Sequence, residues 1–520
     1  MASVDPKAPV LVGVGEASGK KLKEMHGLEW PSTSDLASAA IHAALADSGA
    51  AEKLASAIDC LLSIRLFHDS GLPHDFGSPA NHPEAVATAA GLDPATLIYG
   101  DVGGQSPQKH LNKLACQVHD GEFKAVVLSS AENMGTVKRA RRGGHQLDWN
   151  QPATRAMTDW LTDQDKMLTA YEWRQGIINM PMAYGIVENA RRARLGKDRD
   201  SYAKDMAELW SAFSEISITR DHAQFAKNWT PEELLADAHG NYRLNDPYRR
   251  WMVAQDAVEL GAAVILTTAG YAAELGIAPD KMIYFHSGSD ASVPLMSHQT
   301  DLSISPAMEY AFPKAMELAG VEAEDLGPID IYSCFPVAVS LAMDALGSPD
   351  RPLSSYTLTG GLSFFGGPGN SYSAHGIVAL VEALREDGSK PGMISANGGV
   401  INKESVGIYA AQPVAGGWSP DRVAEPHRIL KPDHVKEEHF FNGDAVIKSY
   451  SMPYGKASRG AASLWLEDEQ GLPAIGVLPD APEDTDLIGL KVKVTAVDNR
   501  NIAVRGDGAC VSGLRGGSRG

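Results

Sequence analysis

The sequence carries the same short pattern twice, and this duplication limits the folds that the chain can adopt. In the first copy, residues 103–106 (GGQS) precede a helical stretch that is followed by the apolar run Lys124–Ser130. In the second copy, residues 366–371 (GGPGNS) precede a helical stretch that is followed by PGMISANGG. The run Ile58–Ile64 is likewise echoed by Ile329–Cys334. Two similar βα halves in one chain indicate a duplicated fold.

The first half alternates short apolar runs with amphipathic stretches. The pattern predicts three strands, at Pro9–Gly15, Ile58–Ile64 and Lys124–Ser130. It predicts two helices, at Asp35–Ser48 and Ser106–Val118. Ser106 is the expected N-cap of the second helix, because Pro107 then takes the first helical position. Strand–helix alternation of this kind indicates a mixed or parallel sheet covered by helices.

The 520-residue chain is long enough for three or four domains. Residues 136–250 are rich in charge, Trp, Tyr and Met, and helical stretches at Tyr184–Leu195 and Ser201–Phe213 predict an inserted, mostly helical domain. After Gly417, strand-like runs separated by turns predict a small β-barrel of five or six strands. We therefore expect five segments, namely residues 1–135 together with 251–290, then 136–250, 291–417, 418–510 and a flexible tail at 511–520.

Charge and cysteine usage exclude several classes of protein. The chain has 46 Lys and Arg against 65 Asp and Glu, a net charge of -19, so its surface repels nucleic acid on average. No run approaches about 18 consecutive apolar residues, so we expect no membrane span, and the start does not resemble a secretion signal. The cysteines form no C-x-x-C pair, which favours a reducing, cytoplasmic setting; they are Cys60, Cys116, Cys334 and Cys510.

Five segments carry a resemblance that runs in order from Pro9 to Pro413. They are PVLVGVGE at residues 9–16, the stretch 100–134 that contains GGQSPQ and ends in SSAENM, IDIYSCFP at 329–336, GGLSFFGGPGNSYSAHG at 360–376 and SANGGVINKESVGIY at 395–409. The first resembles the opening strand of the thiolase superfamily, and the second resembles the segment that carries the thiolase nucleophile. The third resembles the NEAF or HDCF segment. The fourth resembles the GHP segment, and the fifth the C-x-G segment. GGQSPQ, FGGPGNSY and NGG, with an all-β tail, resemble more narrowly the thiolase-like protein type 1 group among thiolases related to sterol carrier protein.

The resemblance implies an α/β fold, with a duplicated βαβαβαββ thiolase-like core in five layers and an inserted helical loop domain. A C-terminal antiparallel β-barrel is added to this core. The implied ligand is an acyl-CoA, with coenzyme A as part of that ligand, no separate cofactor and no metal. The resemblance leaves a homo-oligomer open, because thiolases are typically dimers or tetramers but the barrel could cover or extend that interface.

The resemblance also indicates where the catalytic groups of a thiolase would stand. Thiolases use a nucleophilic Cys at a helix N-terminus, a second Cys that exchanges protons, and a His with an Asn or His that form an oxyanion hole. These positions correspond to Gly104 for the nucleophile, Ala396 or Asn397 for the second Cys, Gly367 for the His and Tyr332 for the NEAF or HDCF residue. None keeps the family side chain, so we expect an acyl-CoA-binding protein and not a working acetyl-CoA acetyltransferase.

Part of the thiolase scaffold would still suit a thioester. Backbone N–H groups at the helix start near Ser106 can bind a carbonyl oxygen, and glycines let the backbone approach a ligand closely. We therefore predict that the substrate-binding residues are Gly104, Ser106, Gly367, Asn397, Gly398 and Gly399.

Two enzymatic alternatives remain open. The first is an acyl-CoA carbon–carbon lyase or aldolase that uses Tyr332 and Tyr372 or His375 as acid and base. It rests on a resemblance to steroid side-chain-cleaving aldolases, which carry a Tyr at the HDCF position and a second Tyr near a His-Gly pair. Those aldolases work with a zinc-ribbon/OB-fold partner, whose place the β domain could take. The second is a divergent acetyl-CoA acetyltransferase of fatty-acid or steroid metabolism.

Several other polar residues have a structural explanation beside a functional one. Ser106 could be a nucleophile with His110 one helical turn on, although its expected role as N-cap already explains it. Cys334 is expected to be a buried structural thiol. The spacing of Gly13 and Gly15 resembles a dinucleotide-binding loop, but no acidic residue closes a second strand about 20 residues later, so we reject a dehydrogenase.

Three clusters of charged or histidine side chains remain. The basic run Lys138, Arg139, Arg141 and Arg142 either contacts the phosphates of CoA or forms a solvated loop. Arg191, Arg192 and Arg194 are expected on the surface of a helix. The spacing is too irregular for a metal site, so a polar loop is predicted for His68, His74, His82, Asp69 and Asp75.

Overall fold

The computed structural model describes residues 4–71, 73–162, 166–348, 350–454, 461–482 and 485–505. The predicted tail at 511–520 and Cys510 lie outside these residues. The N-terminal part alternates strands and helices as predicted. Its elements are β1 (Pro9–Ser18), α1 (Gly19–His26), α2 (Thr33–Asp47), α3 (Ala51–Ala57), β2 (Cys60–Ser63), α4 (His82–Ala89), β3 (Thr96–Tyr99), α5 (Ser106–His119) and β4 (Ala125–Glu132).

The middle of the chain is mostly helical, as its composition predicts. Its elements are α6 (Met134–Gly143), β5 (Thr158–Asp159), α7 (Ala170–Arg174), α8 (Met180–Arg194), α9 (Arg199–Ser217), α10 (Pro231–Leu235), β6 (Arg243–Asn245) and β7 (Tyr248–Arg249). The helices predicted at Tyr184–Leu195 and Ser201–Phe213 correspond to α8 and α9. Helix α9 begins earlier than predicted because the Asp198 side chain caps it, accepting from the amides of residues 200 and 201.

The second half repeats the α/β alternation and then changes to strands. The α/β elements are β8 (Leu260–Thr268), α11 (Ala269–Leu275), β9 (Ile283–Ser292), α12 (Pro306–Ala319), β10 (Ile329–Ile331), α13 (Pro336–Leu346), α14 (Tyr372–Glu386), β11 (Gly392–Gly398), β12 (Lys403–Ala410) and β13 (His427–Arg428). The C-terminal strands form a closed barrel and are β14 (Gly443–Ser451), β15 (Ala462–Asp468), β16 (Pro473–Leu478), β17 (Lys491–Val497) and β18 (Arg500–Arg505).

The strand pairing confirms the duplication that the repeated sequence pattern predicts. In the first half the strand order is β2-β4-β8-β1, and in the second half it is β10-β11-β12-β9. In both halves the first pair is parallel and the next two pairs are antiparallel. The halves meet through a short antiparallel pairing of β1 with β9, where Val10 lies opposite Tyr284 and Leu11 opposite Ile283.

Helices separate and cover the two half-sheets. Helices α5 and α14 touch each other and contact strands of both halves, so they form a middle layer. Helix α2 packs on β1, β8 and β4 on one outer face, and α12 packs on β9 and β12 on the other. The resulting order of helix, sheet, helix, sheet and helix is the five-layered α/β core that the resemblance implies.

The glycines that resemble a dinucleotide loop serve the packing of helix α2 on strand β1. A Cβ atom at Gly13 would overlap the carbonyl oxygen of Ala44, and one at Gly15 would lie 2.5 Å from the amide nitrogen of the same residue. Because these neighbours are backbone atoms, a side chain could enter only if the helix moved away. The glycine pattern therefore reflects a close helix–strand approach.

The barrel docks on helix α8 through buried polar contacts. Ser449 donates a hydrogen bond to the carbonyl oxygen of Ile186, and Asn189 donates to the carbonyl oxygen of Tyr450 over 3.0 Å. Arg192 is buried and forms a two-pronged ion pair with Asp486 at 2.7 and 2.8 Å. The prediction of a surface position is therefore wrong for Arg192, because the barrel covers that side of the helix.

The chain joins the barrel to the core without an abrupt boundary. Strand β13, which lies beyond residue 417, pairs in parallel with β9 of the core sheet before the barrel begins. The five segment boundaries predicted from the sequence, including the one at residue 417, stay a prediction. No helix in the described ranges is long and apolar enough to cross a membrane.

Candidate functional site

A pocket of about 460 Å³ lies where strands β10 and β11 end and helix α5 begins. Its floor is built from positions that are far apart in the sequence. These are Gly104, Tyr332, Gly367, Asn397, Gly398 and Gly399. The apolar wall opposite comes from the helical loop domain and from the start of α6, and includes Met134, Met167, Met180 and Pro181. The fold thus brings together five of the six predicted binding residues and Tyr332.

No side chain fits at residue 104. A Cβ atom there would overlap Cζ and Oη of Tyr332 and would lie 2.5 Å from the carbonyl oxygen of Asn397. The carbonyl oxygen of Gly104 also accepts a hydrogen bond from Ser373 Oγ at 2.8 Å, which ties this backbone to helix α14. The phenol of Tyr332 therefore fills the space in which a side chain of residue 104 would stand.

Tyr332 is buried between the pocket and helix α14. Its hydroxyl donates to the carbonyl oxygen of Gly369 over 3.3 Å, and its ring meets that of Tyr372 edge-on with centroids 5.3 Å apart. Burial holds the pKa of the Tyr332 hydroxyl well above its usual value. The phenol is therefore neutral at physiological pH, and its one proton can pass from the long contact with Gly369 to a ligand oxygen.

Asn397, Tyr184 and Cys334 form a polar group beside Tyr332. The amide nitrogen of Asn397 donates to the Tyr184 hydroxyl at 3.1 Å and lies 3.7 Å from the Cys334 sulfur. The Tyr184 hydroxyl donates to the carbonyl oxygen of Gly399 at 2.8 Å. The carbonyl oxygen Oδ1 of Asn397 is buried and has no hydrogen-bond partner among the described residues. A ligand that donates a hydrogen bond would satisfy it.

Cys334 is the thiol that lines the pocket. Burial raises its pKa to about 12, despite hydrogen bonds that lower it. A thiol with this pKa is almost wholly protonated at neutral pH, and the thiolate is the reactive form. The structure therefore agrees with the expectation of a buried, unreactive thiol.

Glu132 is a pocket residue that the sequence interpretation missed. It is the last residue of strand β4, it is buried, and one carboxyl oxygen accepts from the backbone amide of Phe67 at 2.6 Å. Burial raises the pKa of this carboxyl to about 8, and the charge of Asp69 adds to the rise. The signal in the sequence was a carboxylate at the end of a strand that begins with an apolar run, in AVVLSSAE.

The buried carboxyl of Glu132 should make stability depend on pH. Its pKa is about 8 in the folded chain against an ordinary 4.5, so the folded state binds this proton more tightly and stability falls as pH rises between those values. Glu132→Gln is neutral at every pH. The difference in free energy of unfolding between this variant and the wild type should therefore change by about 2 kcal/mol in favour of the variant from pH 5 to pH 7.

Urea unfolding at both pH values checks this expectation. The matched control is Glu208→Gln, which removes an exposed carboxylate from α9. Its difference from the wild type should be the same at pH 5 and pH 7. A difference for Glu132→Gln that does not change with pH would contradict the prediction.

Three predicted site residues do not line the pocket. Tyr372 is fully buried and shares a 2.5 Å hydrogen bond with Thr359 Oγ1. His375 Nδ1 lies 2.6 Å from Glu16 Oε1. Burial tends to raise the pKa of Glu16, but this contact and nearby positive charges lower it to about 2. The Ser106 hydroxyl contacts Asp101, and the roles given to these three residues stay predictions.

Ser106 differs from its predicted place in the helix. Helix α5 begins at Ser106 and its N-cap is Gln105, so the expectation that Ser106 is the N-cap is wrong by one residue. The Ser106 hydroxyl instead donates to Asp101 Oδ1 at 2.5 Å, and His110 Nε2 lies 3.1 Å from the same oxygen. Both side chains converge on this buried aspartate.

The remaining charged clusters have partners within the fold. In the basic run, Lys138 pairs with Asp256 at 2.6 Å and Arg141 with Asp75 at 3.3 Å. His74 pairs with Asp69 at 2.6 Å, and the two ring nitrogens of His82 contact Ser63 and Thr33. No group of three or more metal-ligating side chains converges within the described part of the chain.

Comparison with known proteins decides the family. A monomeric SCP2-thiolase-like protein type 1 from Mycobacterium smegmatis shares 31% sequence identity, with 97% of this chain and 100% of that chain covered and a TM-score of 0.79. This chain belongs to that family. The oligomeric state of the present SCP2-thiolase-like protein stays a prediction.

More distant relatives match only part of this chain. A 3-ketoacyl-CoA thiolase from Erwinia tasmaniensis is 25% identical over 287 residues, which is 52% of this chain and 57% of that protein. The chain thus matches little more than half the length of such curated relatives. An Ltp2-ChsH2(DUF35) aldolase shares the fold, with a TM-score of 0.56 at 18% identity over 78% of this chain and 98% of that one. No protein-family model matches the chain.

Proposed function

We propose that this protein binds a CoA thioester in the pocket below the loop domain without forming a covalent acyl-enzyme at residue 104. The observation that carries the proposal is the overlap at Gly104, where Tyr332 and Asn397 leave no space for a nucleophilic side chain. The name of the Erwinia relative, a 3-ketoacyl-CoA thiolase, supports a CoA thioester as the class of ligand.

The pocket offers complementary groups to such a ligand. Tyr332 supplies a hydrogen-bond donor for the thioester oxygen by turning its hydroxyl away from Gly369, and Oδ1 of Asn397, which has no partner among the described residues, accepts from a donor of the ligand. Gly398 and Gly399 let the backbone approach closely. The methionines of the opposite wall provide an adaptable apolar surface for the acyl chain. No separate cofactor is needed for this binding.

A second candidate is an aldol-type carbon–carbon lyase acting on the same class of ligand. It is favoured by the presence in one pocket of a neutral phenol, Tyr332, and a buried carboxyl, Glu132. Such a reaction needs no cysteine nucleophile, and one structural neighbour is described as an aldolase. Tyr372 would support Tyr332 through their edge-on ring contact. An acetyltransferase that works through a cysteine is disfavoured by the high pKa of Cys334.

Calorimetric titration with CoA, acetyl-CoA, hexanoyl-CoA and a steroid-linked CoA thioester tests the proposal. We expect micromolar binding of at least one thioester, about -8 kcal/mol. Absence of binding to all four would overturn it. Tyr332→Phe should bind within a few-fold of the wild type, because one hydrogen bond to a neutral group contributes about 1 kcal/mol.

The same variant separates the two candidate functions. Any cleavage of a bound thioester should be lost in Tyr332→Phe and kept in Tyr242→Phe, which removes a hydroxyl from an exposed ring. Cleavage that survives in Tyr332→Phe would exclude the lyase as written here.

A further inference from the structure

Glu132 separates two cavities. On one side it lines the pocket proposed for the thioester, together with Tyr332 and Asn397. On the other side it lines a smaller cavity of about 30 Å³. Both Glu132 and Tyr332 reach the backbone of Gly369: a Cβ there would lie 2.7 Å from Glu132 Oε1, and its carbonyl oxygen accepts from the Tyr332 hydroxyl. The carboxyl and the phenol therefore flank the same point of the pocket floor.

The smaller cavity has several polar side chains in its lining and is large enough for water. Its lining includes Ser34, His68, His74, Asn133 and Gln151. The Ser34 hydroxyl is buried and has no partner among the described residues, and a cavity of this volume can hold one or two water molecules. His74 extends from the cavity to the surface, since its side chain is 26% exposed and pairs with the equally accessible Asp69. Polar side chains thus lie along the way from Glu132 through this cavity to solvent.

The other candidates for an acid or base in this region have different surroundings. His375 contacts Glu16 and lies outside the pocket, and Cys334 holds its proton tightly. Asp256 lines the pocket, but it is exposed and paired with Lys138. Glu132 combines burial, access to the pocket and a polar route to solvent.

We propose that the Glu132 carboxyl moves the proton at the α-carbon of the bound thioester and exchanges it with solvent through the small cavity. This inference rests on the proposed binding of a CoA thioester. The carboxylate takes the α-proton, so the C–H bond breaks and its electron pair passes to the thioester oxygen. That oxygen accepts the hydrogen bond that the Tyr332 hydroxyl otherwise donates to Gly369. The carboxylic acid then returns a proton to the same carbon, and nothing is oxidised or reduced.

Deuterium exchange tests this role without requiring a complete reaction. Wild type, Glu132→Gln and the surface control Glu208→Gln are incubated in D₂O with acetyl-CoA and with hexanoyl-CoA. Mass spectrometry then follows deuterium at the α-carbon, and calorimetry gives the Kd of each pair. We expect wild type and Glu208→Gln to exchange, and Glu132→Gln to exchange at least about 100-fold more slowly with a Kd within three-fold. Thermal unfolding confirms that each variant is folded.

The outcomes distinguish the two proposals. Binding without exchange in the wild type, or equal exchange in Glu132→Gln, would overturn the role of Glu132 and leave the binding proposal intact. Absence of binding would overturn both. A His74→Ala variant adds a second measurement: it should slow exchange with solvent and leave the Kd unchanged, and unchanged exchange would contradict the solvent route.

Discussion

Replacing Gly104 by cysteine is expected to abolish thioester binding instead of creating a thiolase nucleophile. The new side chain would need the space that Tyr332 Cζ and Oη occupy. The ring cannot move freely, because Tyr372 is packed against it edge-on and is itself fully buried. Forcing atoms into a packed site typically costs 1–3 kcal/mol. A displaced phenol would also project into the pocket, so we expect the Kd to rise at least about 100-fold.

Titration and urea unfolding of Gly104→Cys measure both effects. Ala51→Cys, on the exposed start of helix α3, is the matched control and should change neither. The double variant Gly104→Cys with Tyr332→Ala removes the obstacle, so its loss of stability should be smaller than the sum of the single losses by about 1 kcal/mol or more. Wild-type binding by Gly104→Cys, or additive losses, would contradict this account of the pocket floor.

Replacing Gly185 by leucine is expected to undock the barrel and deform the pocket together. Gly185 lies on helix α8, where a Cβ would be 2.6 Å from Asn245 Nδ2 and 2.8 Å from the carbonyl oxygen of Asp246, and would overlap Ser451 Oγ of the barrel. Ser451 and Asn245 are joined by a buried 2.7 Å hydrogen bond. Separating these groups leaves buried polar atoms without partners, so we expect a loss of about 4 kcal/mol or more.

The same substitution reports on the role of the barrel at the pocket. Tyr184, the residue before Gly185, holds Asn397 and Gly399 through its hydroxyl. A shift of α8 should therefore weaken thioester binding as well as lower the urea midpoint. Gly185→Ala should show smaller changes of the same kind, and Glu215→Leu on the exposed face of α9 should show none. A stable Gly185→Leu variant that binds normally would show that barrel docking does not position this helix.

The site could be predicted in part because the resemblance to thiolases fixes the register of the chain. Glycine-rich turns before α5 and α14 and the short strand β10 located Gly104, Gly367 and Tyr332, and the fold places all three at one pocket. The same register left Ala396 or Asn397 for the C-x-G position at the end of β11, and the pocket is lined by Asn397. These positions lie at the ends of regular elements, where the sequence position determines the position in the fold.

The orientation of side chains could not be predicted in this way. Tyr372 and His375 both lie in the first turn of α14, yet that helix is the middle layer of the core and its turn is enclosed on every side. Glu132 was overlooked because a single carboxylate at a strand end has no motif. Its access to two cavities arises from the loops at residues 67 and 369, which are far from it in sequence.

The sequence by itself determined the duplicated α/β core, the helical insertion and the β-barrel, and its resemblance to thiolases implied the five layers. Apolar periodicity and turn residues act locally, and a repeated local pattern must form the same supersecondary unit twice. Only the tertiary structure decided that Tyr332 fills the space beside Gly104, that Arg192 is covered by the barrel, and that Glu132 separates the pocket from a water-sized cavity. These features depend on close packing between segments hundreds of residues apart, and no local pattern encodes such contacts.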